Sequence, residues 1–250
     1  MKLPFAAKEY TDPMSVDSKY PGSELELFRN AIRWKRYWHG RIRQYINGDV
    51  CEVGAGIGAN TGMILRGNPH IKSLLAVEPD PSLAARISGN VDDPNGVMTV
   101  FAGYLSGVDP LRKFDTILYI DVIEHIENDR NEVERALSHL NVGGFLIILV
   151  PAHPSLFSPF DAAIGHFRRY TKRSLRETVG KVPENMELFH LDSMGALTSV
   201  VNKYLLKQDY PTVRQVLFWD RFVVRISTFS DAMFGRWFGK SVVGVWRKGA

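Results

Sequence analysis

The chain has 250 residues, 45% hydrophobic and 23% charged, the composition of a folded globular protein with room for one large domain and an elaboration. A single cysteine, Cys51, excludes a disulfide framework and a multi-cysteine metal site, and no metal is expected. The net charge of +4 is unevenly spread: from Gly165 onward fifteen Lys and Arg face seven Asp and Glu, a surplus of +8, so the first 164 residues carry −4. A basic last third suits an acidic substrate, an anionic membrane surface or a nucleic acid, or is merely a solvated face.

The opening "MKLPFAAKEY" has too short an apolar run for a signal-peptide core, and no run approaches the roughly 18 apolar residues of a membrane span, so a reducing cytoplasm is the expected compartment. Residues 20–47 read as a helical extension. Within it Leu27, Ile32, Trp34, Trp38, Ile42 and Ile46 recur at near-helical spacing with basic residues between, which predicts one amphipathic helix over 23–46. Short apolar strands then alternate with helical patterns: strands near 49–53, 73–78, 97–102, 115–120 and 144–150, helices near 59–66, 81–89 and 128–140. That rhythm predicts parallel βαβ units with helices on both faces, a core spanning 48–192. After Pro151 comes a long loop rich in Pro, His and aromatic residues, a helix starting near Thr171, and a strand-like "NMELFHLDS". Residues 193–240 are helical in character and far longer than an ordinary connection, so they read as a cap ahead of a last strand at 241–248.

The first strand runs into "VCEVGAGIGAN". Gly54, Gly56 and Gly58 permit a tight turn and a close approach of backbone to a ligand, with helix N–H groups beyond it. Gly54, Gly56 and Ala59 also satisfy G-x-G-x-x-A, so the turn alone fits a nicotinamide dinucleotide as well. Glu52, two residues before the first glycine, argues otherwise, because an acid there would repel a pyrophosphate and attract an ammonium group. Glu78 ends the second strand in "LLAVEPD", where a carboxylate can accept from both hydroxyls of a ribose. Asp80 beside Pro81 reads as a helix cap rather than a ligand group. In "FDTILYIDVIEHIEND" a strand delivers Asp121, Glu124 and His125 at its carboxyl end, the edge at which open α/β sheets bind ligands.

In this order and spacing, "VCEVGAGIG", "LLAVEPD", "FDTILYIDVIEHIEND" and "LNVGGFLIILVPAHP" resemble the class I S-adenosylmethionine-dependent methyltransferases, over about Arg33 to Val150. The segments "FSPFDAAIGHFRRYTKRSL" and "FGKSVVGVWRK" extend the resemblance toward bacterial members, some of them associated with sugar or lipid assembly. The resemblance implies a Rossmann-like, doubly wound sheet of seven strands in the order 3-2-1-4-5-7-6 with the last strand antiparallel. It implies S-adenosylmethionine as cofactor and S-adenosylhomocysteine as product. Glu52, Gly54, Ala55, Gly56 and Gly58 would surround the methionine part, Glu78 with Pro79 the ribose, and Asp121 would line the methionine side. Many members place an acid after the third strand to meet the adenine amino group. Here the chain reads "FAGYLSG", which offers Tyr104 and Leu105 and leaves adenine to stacking or backbone.

Methyl transfer needs an acceptor lone pair aligned with the methyl group and water kept out, and a hydroxyl acceptor must also lose a proton. His125 and His166 are the candidate bases, since both fall in loops on the ligand side of the sheet. His153 in "PAHP", Arg168, Arg169 and Tyr170 are the candidate acceptor contacts, the paired guanidiniums suiting a carboxylate or phosphate. They could equally salt-bridge to acids such as Asp161. In the cap, Phe222, Ile226, Phe229, Met233 and Trp237 recur at helical spacing, with Arg214, Arg221 and Arg225 on another side. Such a stripe ordinarily faces a core; the sharper alternative is a lid over a hydrophobic or lipid-linked acceptor, resting on an anionic membrane surface.

The expected function is methylation of a small molecule, at oxygen on a sugar, a lipid-linked or another anionic or hydrophobic acceptor. The alternatives are N-methylation of a small heterocycle or natural product, a nicotinamide-dependent oxidoreductase, and a non-catalytic adenosyl-binding module. No nucleic-acid partner is expected, because no base-flipping motif or RNA-binding module is present. A homodimer is compatible with the sequence.

Overall fold

The computed structural model describes residues 23–181, 183–206, 210–233 and 236–249. The part of the N-terminal extension before Ser23 lies outside the described residues, as do 207–209 and 234–235 of the cap. Seven strands form one sheet: β1 (Gly48–Val53), β2 (Ile71–Glu78), β3 (Met98–Ala102), β4 (Phe114–Ile120), β5 (Leu140–Pro151), β6 (Glu184–Leu191) and β7 (Ser241–Arg247). Their order is β3-β2-β1-β4-β5-β7-β6, as the sequence predicts. β7 pairs antiparallel with β5 and with β6, whereas the other pairs are parallel.

The strands are nearly all apolar because both faces are covered. On one face Val50, Leu118, Ile147 and Val243 pack against Trp34, Trp38 and Ile42; on the other Cys51, Ile117, Ile148 and Trp246 pack against Val133, Ala136 and Leu175. Neighbours in sequence such as Val50 and Cys51 thus point to opposite cores, as the two-residue period of a strand requires.

The helices are α1 (Ser23–Arg29), α2 (Ile32–Ile42), α3 (Thr61–Gly67), α4 (Pro81–Asn90), α5 (Asp129–His139), α6 (Pro159–Ala163), α7 (Lys172–Val179), α8 (Ser193–Val201), α9 (Val213–Phe218) and α10 (Val224–Met233). Local chemistry sets many of their starts. Asp80 accepts from the backbone N–H groups of Ser82 and Leu83 with Pro81 at the first helical position, and Ser158–Asp161, Thr171–Ser174 and Thr212–Gln215 form reciprocal caps. The amphipathic segment predicted as one helix breaks between Arg29 and Ile32, because Asp220 of the cap accepts from the backbone N–H of both Arg33 and Trp34 and starts α2 anew. The loop after β5, predicted without structure, carries the short helix α6.

The cap helices α8 to α10 lie in sequence between β6 and β7. A single π turn, Trp219–Val223, joins α9 to α10. Three buried aspartates tie the cap to the body. Asp192 accepts from Gly195 N–H, Ser227 Oγ and Trp219 Nε1; Asp231 accepts from Tyr37 OH and the N–H groups of Asp192 and Ser193; Asp220 caps α2. The apolar stripe of the cap does not face the core. Val216, Val223, Val224 and Ser227 turn inward, while Phe222, Ile226, Phe229, Met233 and Trp237 are exposed, Phe229 by 69%. The reading of the stripe as a buried face is therefore corrected: the aspartates and their small polar partners occupy the inward face of the helix.

Candidate active site

The register of the sheet brings three chain segments to one edge. Val53 of β1 lies beside Val77 of β2 and Tyr119 of β4, so Gly54, Glu78 and Asp121 follow at the same carboxyl end. They open on a cavity of about 2190 Å³, large enough for a nucleoside-sized ligand together with a second molecule.

At the glycine turn the backbone is forced left-handed: φ is +71° at Gly54, +57° at Gly56 and +81° at Gly58. A Cβ on Gly54 would come within 2.6 Å of Val122, and one on Gly58 within 2.6 Å of Val91. Gly54, Ala55 and Gly56 line the cavity with Ile57 and Ala59; Gly58 is not among the lining residues and serves packing against the end of α4. Glu52 also lies beneath the turn. It is buried, one oxygen accepts from Thr61 Oγ1 at 2.6 Å, and burial pushes its carboxyl up to about 8. Near neutral pH it is therefore protonated, so the repulsion of a pyrophosphate and attraction of an ammonium group expected of it do not arise from its charge.

Glu78 does line the cavity, with Pro79. Its Oε2 accepts from Gly56 N–H at 2.7 Å and its Oε1 from Asp80 N–H at 3.0 Å. Burial raises its pKa, against the pull of those two backbone bonds. Tyr104 lines the same cavity and is half exposed at the end of β3.

Asp121 has φ +55°, a left-handed backbone that costs a non-glycine residue of order 1–3 kcal/mol. Its side chain is open to the cavity while protein surrounds that cavity, and this enclosure raises its pKa to about 6; the neighbouring His166, Lys240 and Lys35 pull the other way. Lys35, whose Nζ donates to the carbonyls of Phe28 and Arg29, is itself lowered to about 8 by burial. Trp34, Lys35, Trp38, Trp219 and Lys240 also form cavity wall, a set the sequence reading missed because their helices were taken only as packing and cap elements.

Beyond Asp121 the chain makes a single 3₁₀ turn that carries Glu124 and His125, and the segment after α6 is pinned to it by Phe167 N–H donating to Glu124 O at 2.8 Å. His125 and His166 meet edge to face with ring centroids 4.5 Å apart. Asp161 Oδ1 is 2.9 Å from His166 Nδ1, and His166 Nε2 lies 3.9 Å from Glu124 Oε1. Glu124 is completely buried, and neither carboxylate oxygen meets a hydrogen-bond partner among the described residues. Burial, with Asp121 and Asp161 close by, drives its pKa well above the ordinary value. Burial and the neighbouring His166 push His125 down to about 3, so it is neutral and a poor base.

The four candidate acceptor contacts separate. Arg169 lines the cavity, but its guanidinium forks onto Asp161 with two 2.8 Å bonds. Arg168 turns away to Asp129, as does Tyr170 OH. His153 stacks on His190 and reaches the Gly239 carbonyl. None of these last three is among the cavity-lining residues, and the two arginines hold different carboxylates instead of forming one anion clamp.

The structure offers the cradle an adenosyl cofactor needs: a turn that tolerates no Cβ at Gly54, a carboxylate at Glu78 facing the cavity, and an open acid at Asp121. Residues 51–146 match the family model described as "Methyltransferase domain". No curated protein matches the chain by sequence. Among solved structures, the N-methyltransferase NodS from Bradyrhizobium japonicum WM9 in complex with S-adenosyl-l-homocysteine is 13% identical with a TM-score of 0.55, over 97% of this chain and 94% of that one. Coclaurine N-methyltransferase bound to N-methylheliamine and S-adenosylhomocysteine is 16% identical with a TM-score of 0.58, over 87% and 72%. A chain of the complex between the Haloferax volcanii Trm112 methyltransferase activator and its partner is 13% identical with a TM-score of 0.60, over 91% and 96%. With the glycine turn, Glu78 and the strand order, these findings support an S-adenosylmethionine-dependent methyltransferase over the nicotinamide and non-catalytic readings: residues 51–146 match a methyltransferase domain, and the chain shares the fold of the solved methyltransferases.

Proposed function

We propose that the protein transfers a methyl group to a hydroxyl oxygen of a small hydrophobic acceptor, of the sugar- or lipid-linked kind. The observation that carries the reading is the group of buried Glu124 with partly buried His125 and His166 at the cavity wall next to Asp121. An amine that is already neutral attacks without losing a proton beforehand, whereas a hydroxyl must shed its proton as it attacks, so a base group at the wall favours oxygen.

When bound, S-adenosylmethionine supplies an electrophilic methyl on a sulfonium. Glu78 would accept from the ribose hydroxyls, the Gly54–Gly56 backbone would lie along the methionine part, and Asp121 would face its ammonium group. Trp34, Trp38 and Trp219 give the cavity an apolar wall that limits water, which favours alignment of acceptor oxygen and methyl over hydrolysis. The acceptor's proton is lost at the Glu124–His125–His166 cluster.

The size of the cavity and the exposed cap stripe support a hydrophobic acceptor. Phe222, Ile226, Phe229 and Met233 face outward, and the exposed Arg214, Arg221 and Arg225 flank them, an arrangement suited to an anionic lipid surface. No helix among the described residues is long and apolar enough to cross a membrane.

The test is methyl incorporation from labelled S-adenosylmethionine into matched pairs of amphiphilic acceptors that differ only in bearing a hydroxyl or an amine. Labelling of the alcohols, lost in His166→Gln while S-adenosylhomocysteine still binds, supports the reading; labelling confined to the amines overturns it. Sedimentation with anionic vesicles at low salt, weakened in Phe222→Ser/Phe229→Ser, checks the cap.

A further inference from the structure

Glu124 poses an unsolved electrostatic problem. A fully buried carboxylate without a hydrogen bond is costly, and proteins resolve it by protonation, by pairing or by metal coordination. Arg169, whose charge acts on Glu124, spends both its forked donors on Asp161. What does face Glu124 is two imidazoles: one ligand atom each of Glu124, His125 and His166 lie within 4.8 Å of one another.

We propose that Glu124, His125 and His166 bind a divalent transition-metal ion, with its remaining positions open to the cavity. Three features favour this over a chance cluster. The atoms are spaced so that side-chain rotation brings them to the roughly 2.0–2.2 Å bonds that imidazole and carboxylate make to such ions. The ring of His166 is already oriented: Asp161 takes Nδ1, leaving Nε2 turned toward Glu124, the carboxylate–histidine arrangement that fixes a ligand's tautomer. Ser158 and Arg169 fix Asp161 in turn. His125 is held by hydrogen bonds to the backbone at Ile164 and Gly165. Two imidazoles and one carboxylate select zinc, manganese or cobalt over calcium and magnesium, which prefer all-oxygen sites. The sequence reading expected no metal because it weighed only cysteine ligands; the two histidines are 41 positions apart and only the loop pinned at Phe167 brings them together.

The role of the ion rests on the O-methylation reading, although its binding does not. An acceptor hydroxyl on an open position becomes more acidic and releases its proton to water in the cavity. Its oxygen then forms the bond to carbon as the carbon–sulfur bond breaks, and the electron pair stays on sulfur to leave neutral S-adenosylhomocysteine. His166 would then be a ligand and not the base.

The experiment uses the full chain stripped with a chelator and titrated with Zn2+, Mn2+ or Co2+ alone, by calorimetry and by the visible absorption of bound Co2+. One ion per chain, lost in Glu124→Gln and His125→Gln and weakened 10–100-fold in Asp161→Asn, is the expected result. Thermal unfolding and S-adenosylhomocysteine binding report whether each variant is folded. Absence of saturable binding to the stripped wild-type chain, or binding unchanged in folded Glu124→Gln, overturns the proposal. If the ion does not bind but alcohols are still methylated, only the metal is lost and O-methylation stands; if the ion binds and only amines are methylated, the site stands without its acceptor role.

Discussion

Asp161 and Arg169 form a forked ion pair, Nε to Oδ1 and Nη2 to Oδ2 at 2.8 Å each, in which both side chains are at least nine-tenths buried. The same carboxylate holds His166 and caps α6 through Ser158, so one residue ties together the loop that carries the candidate site.

Asp161→Ala would leave the Arg169 guanidinium buried without its partner, a change that costs about 3–5 kcal/mol. Burial alone would raise the Asp161 pKa, but bonds from His166, Arg169 and Ser158 outweigh it and hold the carboxyl far below its ordinary 3.8. The sign follows: the folded state keeps the charge where the unfolded state takes up a proton, so this stabilisation is complete above about pH 4 and is lost as the pH falls further. Urea unfolding at pH 7 and pH 3 should show a smaller difference between variant and wild type at the lower pH.

Glu52 shows the opposite linkage. Its folded pKa near 8 exceeds the ordinary 4.5, so its contribution is full below pH 4.5 and declines as the pH rises through 8. Glu52→Gln, which keeps the shape and an acceptor for Thr61, should unfold with a flatter stability profile between pH 5 and 9 and be the more stable protein at pH 9. An unchanged slope in thermal scans across that range would refute the assignment.

Substitution at the glycine turn separates cofactor binding from folding. Gly56→Arg places a long side chain in the cavity and should abolish S-adenosylhomocysteine binding measured by calorimetry. Glu78→Gln removes one acceptor from the group that holds Gly56 N–H and should weaken binding by about 1–3 kcal/mol, roughly 5- to 150-fold. NADH should bind none of these proteins.

The cap is held by acids rather than by its apolar stripe. Asp192→Ala strands Gly195 N–H, Ser227 Oγ and Trp219 Nε1, at about 1–3 kcal/mol for each donor left without water. Stability should fall by several kcal/mol, whereas Phe229→Ser, at an exposed position, should change it by less than about 0.5 kcal/mol.

Much of the core was legible because its signals are local. The period of two, the apolar run of β5, the three glycines and Asp80 beside Pro81 each act through a few adjacent residues. The cap was not legible in the same way, because hydrophobic periodicity assumes that apolar residues point inward. In the π turn Trp219–Val223 and in α10 the inward face carries Asp220, Ser227 and Asp231, whose partners lie as far away as Trp34 and Tyr37. Asp161 had a readable signal, Ser158-Pro159-x-Asp161, which announces a helix start. Its second task, holding His166 and Arg169, depends on a turn at Gly165 with φ +84° that spacing alone does not reveal. The split roles of Arg168 and Arg169 arise for a similar reason: adjacent residues on an extended segment diverge, one toward Asp129 and the other toward Asp161.

The placement of β7 between β5 and β6 also dictates the order in which the molecule can assemble. β6 pairs with β7 alone and has no contact with β5 to lean on, so it gains no ladder until the chain beyond the cap has arrived. Until then the inner edge of β5 and all of β6 are open to pairing with other chains. The closing step couples segments far apart in sequence, the kind of long-range pairing that loop-closure entropy slows.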